Sequence, residues 1–365
     1  MTCVLRNASL LALLALGCGG GSSDGSVPAV EHPHPVDGAY AWRQVDAPRG
    51  DFVQALQALP DGHLWIAGRE IRHFDGSSFE TLPAPPDTVA TDFVSVISAS
   101  SATDLWTAGS RLLHFDGATW VDRGAELPNS GTASSVVEGF SLARAPSGVW
   151  VFRSSTNEAS RLTFGFLDGT GFQALQFSPN DPFYPFAGMT VLADGSLAVP
   201  GMGVLAGIGS QWQNTLRHGE TSRTNGLWAL SDAGVFYSWT PDNAGGIGLT
   251  SATSSTQFAT VATVPLETLK VAGLKQTPVV GDGSGYPNLP SIDVVAVAAT
   301  STGALYACVV DDHLFPFTVF ISLNGTSAEL LSDRLVGVRA ARMALHGTAL
   351  FVVDVNGAVY QGTHR

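Results

Sequence analysis

Histidine and aspartate are the side chains most used to move protons, and in this chain they recur at fixed places. His73 and His114 occupy equivalent positions, and so do Asp75, Asp116 and Asp168. Each aspartate precedes a glycine, giving the pairs Asp75-Gly76, Asp116-Gly117 and Asp168-Gly169. Residues that recur once per structural unit are best explained by a shared structural task. An aspartate in such a turn accepts backbone N–H groups of its own loop. Successive units also aim them in different directions, so they do not converge on one centre.

Other chemistries lack their residues. Holding a carboxylate ligand would take several converging arginines, and the arginines here are scattered. There is no H-E-x-x-H and no Cys/His set with zinc spacing. The run 281–285 (Gly-Asp-Gly-Ser-Gly) and the pair Asp311-Asp312 offer oxygen atoms, but neither follows the spacing of a calcium loop. No catalytic residue, metal or cofactor is assigned. Cys308 lies in the apolar run Leu305-Tyr306-Ala307-Cys308-Val309-Val310 and reads as a small core thiol.

These residues must be carried by short strands. The chain is 45% hydrophobic and 13% charged, with 41 glycines and 20 prolines among its 365 residues. That balance favours tight turns over helices and supplies enough apolar surface for a core. The formal charge of −13 and the presence of only two lysines, Lys270 and Lys275, argue against nucleic acid as a partner.

Residues 1–17 read as an export leader. Arg6 precedes the run Leu10-Leu11-Ala12-Leu13-Leu14-Ala15-Leu16, too short to span a bilayer and right for a signal-peptide core. The leader ends at Ala15-Leu16-Gly17-Cys18, and this junction resembles the bacterial lipobox, with Ala15 standing where that motif carries leucine. The resemblance implies a lipid on Cys18, an exported protein of the cell envelope, and attachment to the outer membrane or a periplasm-facing leaflet. Residues 18–36, rich in Gly, Ser and Pro, read as a flexible tether. Residues 37–365 form the folded domain.

The strongest internal signal is a repeat. The segment from Leu64 to Phe79 aligns without gaps on that from Leu105 to Trp120 at an offset of 41, with eight of sixteen positions identical. A weaker third copy runs from Val149-Trp150 to Phe172. Each unit reads as four strands, A to D, with a Gly-containing A–B turn and an apolar pair opening strand B. Seven such pairs are visible: Leu64-Trp65, Leu105-Trp106, Val149-Trp150, Leu197-Ala198, Val235-Phe236, Leu305-Tyr306 and Leu350-Phe351. The expected fold is all-β, a single β-propeller of seven four-stranded blades. One interval of 70 residues, Phe236 to Tyr306, leaves room for a long insertion or an eighth blade. The last unit lacks strand D, and residues 37–45 look like a spare one, so the N-terminal strand is expected to pair with the last blade and close the ring.

The repeats resemble bacterial secreted propellers with a D-G-x-x-W turn between strands C and D, and more loosely Asp-box, WD40 and kelch architectures. The Asp-box serine two residues before the aspartate is absent, because His73-Phe74 and His114-Phe115 precede Asp75 and Asp116. The resemblance covers most of residues 37–365 and implies fold, not activity.

The A–B and C–D turns are short, so the face they form is expected to be plain. The longer connections, 83–92, 124–139, 153–161, 177–186, 239–246 and 262–291, are expected to carry any ligand. Their aromatics Phe183, Tyr184, Phe186, Trp239 and Tyr286 are the candidate contacts for a peptide or sugar. The expectation is a monomeric, non-catalytic binding module for an envelope protein, peptide or polysaccharide, joined to the membrane by its lipid. The alternative is a propeller hydrolase or lyase acting on glycans or peptides.

Overall fold

The computed structural model describes residues 38–47, 53–59, 61–83, 94, 96–109, 111–128, 138–155, 163–175, 189–192, 195–199, 203–210, 227–231, 233–241, 246–253, 259–265, 268, 291–311, 316–346 and 348–365. Apart from one 3₁₀ turn at Gly124–Glu126, the described elements are strands.

Strand β1 (Tyr40–Asp46) comes first and is left for last in the ring. Blade 1 follows as β2 (Ala55–Ala58), β3 (Leu64–Ala67), β4 (Ile71–Phe74) and β5 (Phe79–Thr81). Blade 2 is β6 (Val96–Ser101), β7 (Asp104–Ala108), β8 (Leu112–Phe115) and β9 (Trp120–Asp122). Blade 3 is β10 (Glu138–Ala145), β11 (Gly148–Ser155), β12 (Thr163–Asp168) and β13 (Gly171–Ala174). Blade 4 has three described strands, β14 (Thr190–Val191), β15 (Leu197–Val199) and β16 (Gly203–Leu205). Blade 5 is β17 (Ala229–Leu230), β18 (Val235–Pro241), β19 (Ile247–Thr253) and β20 (Ala259–Val264). Blade 6 is β21 (Ser291–Ala299), β22 (Gly303–Asp311), β23 (Phe317–Asn324) and β24 (Ser327–Val336). Blade 7 takes β25 (Ala340–His346), β26 (Ala349–Asp354) and β27 (Val359–His364), and its fourth strand is β1.

Every sheet is antiparallel, a simple meander in blades 1–6 and completed by β1 in blade 7, and apolar residues lie on both faces. The buried apolar residues fall into seven clusters, one at each blade-to-blade contact. The cluster of Phe74, Phe351 and Val359 joins blade 7 back to blade 1, so the ring is closed. Trp239, Ile247 and Leu249 of blade 5 pack directly on Tyr306, Cys308 and Val319 of blade 6. The long interval between Phe236 and Tyr306 is therefore an insertion, and the protein is a seven-bladed β-propeller.

Hydrogen bonds stitch neighbouring blades at their inner strands. The Gln57 amide brackets Ala99, donating to its carbonyl at 3.0 Å and accepting its N–H at 2.8 Å. Ser98 Oγ accepts the Arg144 N–H at 2.7 Å, and Tyr306 donates to the Ser238 carbonyl at 3.1 Å. The contacts of Gln57 and Ser98 satisfy backbone groups on the edge strands β6 and β10, and that of Tyr306 joins the second strands of blades 5 and 6.

Closure rests on several contacts. Strand β1 pairs with β27 from Tyr40↔His364 to Asp46↔Val359. Asp333 of β24, fully buried, accepts the backbone N–H groups of Gly38 (3.1 Å), Ala39 (2.9 Å) and Tyr40 (2.9 Å) and the indole N–H of Trp42 (3.1 Å). A break in the β23–β24 register explains its aim: Val319 pairs with Arg334 and Ile321 with Leu330, which leaves three residues opposite Phe320. Such a bulge redirects side chains, and here it turns Asp333 toward the incoming strand. Gly38 is required for space, since a Cβ there would lie 2.7 Å from the Asp333 carboxylate. Trp42 stacks on Phe320 with ring centroids 5.4 Å apart. On the other side, Arg72 of blade 1 pairs with Asp46 of β1 and donates to the Gly357 carbonyl of blade 7 at 3.3 Å.

Candidate binding cleft

The repeated aspartates do what their turns require. Asp75 accepts the Ser77 and Ser78 N–H groups at 2.8 Å, and Asp116 those of Ala118 (2.9 Å) and Thr119 (2.7 Å). Asp168 accepts the Thr170 N–H at 2.7 Å. Gly76 and Gly117 adopt φ of 95° and 92°. In the third copy the left-handed residue is Gly171, with φ of 117°, rather than Gly169. Hydrogen bonds from the turn hold all three carboxyls below the ordinary aspartate range.

A group whose folded pKa is depressed stabilises above its unfolded pKa, about 4 for aspartate, and that contribution is lost as the pH falls through the folded value. Asp354, pushed upward by burial, has the opposite sign. The thermal midpoint is thus expected to fall as the pH drops below about 4. A triple variant Asp75→Asn, Asp116→Asn, Asp168→Asn should flatten that fall when midpoints are measured from neutral pH downward. An unchanged slope would contradict the turn assignment.

His73 and His114 each stack on the tryptophan opposite them, Trp65 and Trp106, with centroids 4.4 Å apart in both. Their further partners differ. His73 Nε2 meets His63 Nδ1 at 2.7 Å, whereas His114 Nε2 meets Asp104 Oδ1 at 2.8 Å. Burial, followed by the neighbouring His63, lowers the His73 pKa.

The two blade contacts then diverge for a reason of turn length. Eight positions separate Gln57 from its strand partner Trp65, and Ser98 from Trp106, but seven separate Ala143 from Trp150. The A–B turn of blade 2 reaches far enough for its Ser101 carbonyl to accept the Trp65 indole N–H at 3.3 Å. The shorter turn of blade 3, Pro146-Ser147, gives Trp106 no such carbonyl, and its indole N–H has no acceptor among the described residues.

A cleft of about 370 Å³ opens at this place between blades 2 and 3. Thr103 and Asp116 of blade 2 and Ser147, Asp168 and Gly169 of blade 3 form its rim, with Asp104 and Gly148 just inside. Trp106, His114, Arg123, Arg144 and Leu167 lie deeper. Arg144 donates through Nε (2.8 Å) and Nη2 (2.7 Å) to Asp104 and through Nη1 to the Ala145 and Gly148 carbonyls. Burial pushes the Asp104 carboxyl up, but hydrogen bonds from Ser100, His114 and Arg144 outweigh it and hold the group below its ordinary value. Arg123 pairs with Glu126 and lies 5.4 Å from the Trp106 ring centroid, so His114 and Arg123 both cover the indole. What the cleft offers a ligand is therefore the indole edge, guanidinium N–H groups and carboxylate oxygens.

This placement corrects the expectation of a plain short-turn face, because the rim is made of A–B and C–D turns. Trp239 is also relocated. It sits inside β18, is 7% exposed, and packs against the blade 6 core, so it is no loop aromatic. Phe183, Tyr184, Phe186 and Tyr286 lie outside the described residues, as does Cys18. Cys308 is buried and its thiol is pushed up to about 12 by burial, which keeps it protonated and unreactive. Among the described residues no group of three or more His, Cys, Asp or Glu side chains could hold a metal ion.

Solved structures with this architecture are β-propellers of varied activity. YCF48 bound to D1 peptide superposes with a TM-score of 0.56 at 12% identity, covering 90% of this chain and 98% of that one. A catalytically inactive virginiamycin B lyase from Staphylococcus aureus, solved with quinupristin, gives 0.54 at 10% identity over 89% and 99%. The extracellular domain of a putative hybrid two-component system from B. thetaiotaomicron gives 0.51 at 11%, over 89% of this chain and 39% of that one. At such identities the likeness establishes the propeller fold. No protein-family model and no curated protein sequence matches the chain.

Proposed function

We propose that this protein is an exported, lipid-anchored β-propeller of the cell envelope that acts as a monomeric, non-catalytic binding module for a protein, peptide or polysaccharide. The observation that carries the binding reading is the state of the cleft's ionisable groups. Asp104 is engaged by Ser100, His114 and Arg144, Arg123 by Glu126, and the rim aspartates by their own turns. Groups held this way recognise a ligand's polar atoms and are already engaged by neighbouring side chains and turns. The leader and Cys18 supply the anchor, and no helix among the described residues is long and apolar enough to cross a membrane.

One contact favours the alternative hydrolase or lyase: Asp104 orients the His114 imidazole in the way a carboxylate orients a general base. Incubating the full chain with envelope polysaccharide and peptides separates the two. The binding reading expects retention of uncleaved material, and the appearance of shorter products that disappear in His114→Ala would replace it with the enzyme. For the anchor, Cys18→Ser is expected to move the protein from the membrane fraction to the aqueous fraction and to abolish palmitate labelling. Retention of both would remove the lipoprotein assignment.

A further inference from the structure

We infer that the cleft between blades 2 and 3 binds a neutral, polyhydroxylated ligand, a glycan, through the Trp106 indole N–H and Arg123 as donors and the Asp116 and Asp168 carboxylates as acceptors. This rests on the binding-module reading and names the ligand class of that site.

The pattern of unused hydrogen-bonding capacity selects the class. Trp106 presents an N–H without a partner among the described residues, while its blade 1 counterpart is satisfied by Ser101. An ionised carboxylate has about four acceptor sites. Asp116 accepts from Ala118 N, Thr119 N and Thr119 Oγ1, and Asp168 from Thr170 N, Thr170 Oγ1 and Gln173 Nε2, and neither carboxylate is buried, so a ligand hydroxyl can still reach both. A sugar hydroxyl both donates and accepts, so one chemical group meets both kinds of site.

Other classes fit less well. An anion would meet rim carboxylates and a chain of net charge −13. A peptide needs an exposed strand edge or apolar pockets, and Leu167 is the one aliphatic side chain in the lining. The volume of about 370 Å³ lies within the range of small-ligand clefts, roughly 300–1,000 Å³.

The blocking variant comes from the same geometry. Gly169 lies on the rim, keeps ordinary backbone angles, and has no atom within 4 Å of where a Cβ would sit. Gly169→Trp therefore places a bulky side chain at the cleft's edge without a clash at its Cβ. The full-length protein in detergent micelles would be titrated calorimetrically with maltoheptaose, cellohexaose, mannohexaose and chitohexaose. The expected result is binding of at least one, weakened about tenfold in Trp106→Phe, which removes one hydrogen bond, and abolished in Gly169→Trp with an unchanged thermal midpoint. If none of the four binds, or if binding survives Gly169→Trp, the inference is overturned. An envelope peptide that binds the wild type and is displaced by Gly169→Trp would also overturn the glycan class, while leaving the binding module standing.

Discussion

Asp333→Ala is expected to unlatch the ring and to lower stability by about 4 kcal/mol, since each buried donor left unmade costs roughly 1–3 kcal/mol. Four donors converge on that carboxylate: the N–H groups of Gly38, Ala39 and Tyr40 and the indole of Trp42. The total stays below their simple sum because the Gly38, Ala39 and Trp42 contacts are only part-buried, so water can reach them. Asp333→Asn should cost less, because one amide oxygen still accepts while the NH₂ group faces donors. Chemical denaturation read by tryptophan fluorescence checks both. Equal, small effects for the two variants would show that the clasp does not hold the strand.

Arg72→Met is the second large effect. The Arg72 side chain is 2% exposed and that of Asp46 11%. Removing one member of a buried ion pair strands the other charge, at a cost of roughly 3–5 kcal/mol. Replacing both, Arg72→Met with Asp46→Leu, should recover most of that loss, since an apolar pair of similar size pays no desolvation. If the double variant is as unstable as the single, the Gly357 contact rather than the ion pair holds the seam.

Both effects fall on the strand that follows the proposed anchor. Cys18 lies 22 positions before Tyr40, so under the proposed anchoring a pull on the chain would enter the ring at β1. The Asp333 clasp grips the residues where that strand begins. This gives a physical reason for placing a buried carboxylate with four donors there.

Much of this architecture is legible in the sequence. The near-identical copies around Trp65 and Trp106 carry the blade, and the spare strand at residues 37–45 matches the missing one at the C-terminus. These are local patterns, repeated along the chain. Asp333 is not legible, because its role depends on a bulge opposite Phe320 that no local pattern announces. The cleft is not legible either. It arises where a turn one residue shorter in blade 3 meets a tryptophan of blade 2, and only the stacking of blades brings Arg144 to Asp104. Trp239 misleads for a related reason: β18 runs on to Pro241, so an aromatic placed at a strand end by its spacing is held inside the sheet.

Hydrogen exchange of the full-length chain, followed by mass spectrometry, tests the closed ring most directly. Amides of 40–46 should exchange as slowly as those of 359–364, their pairing partners, and both should quicken together in Asp333→Ala. Fast exchange of 40–46 in the wild type, beside a protected 349–354, would mean that the first strand does not complete the seventh blade.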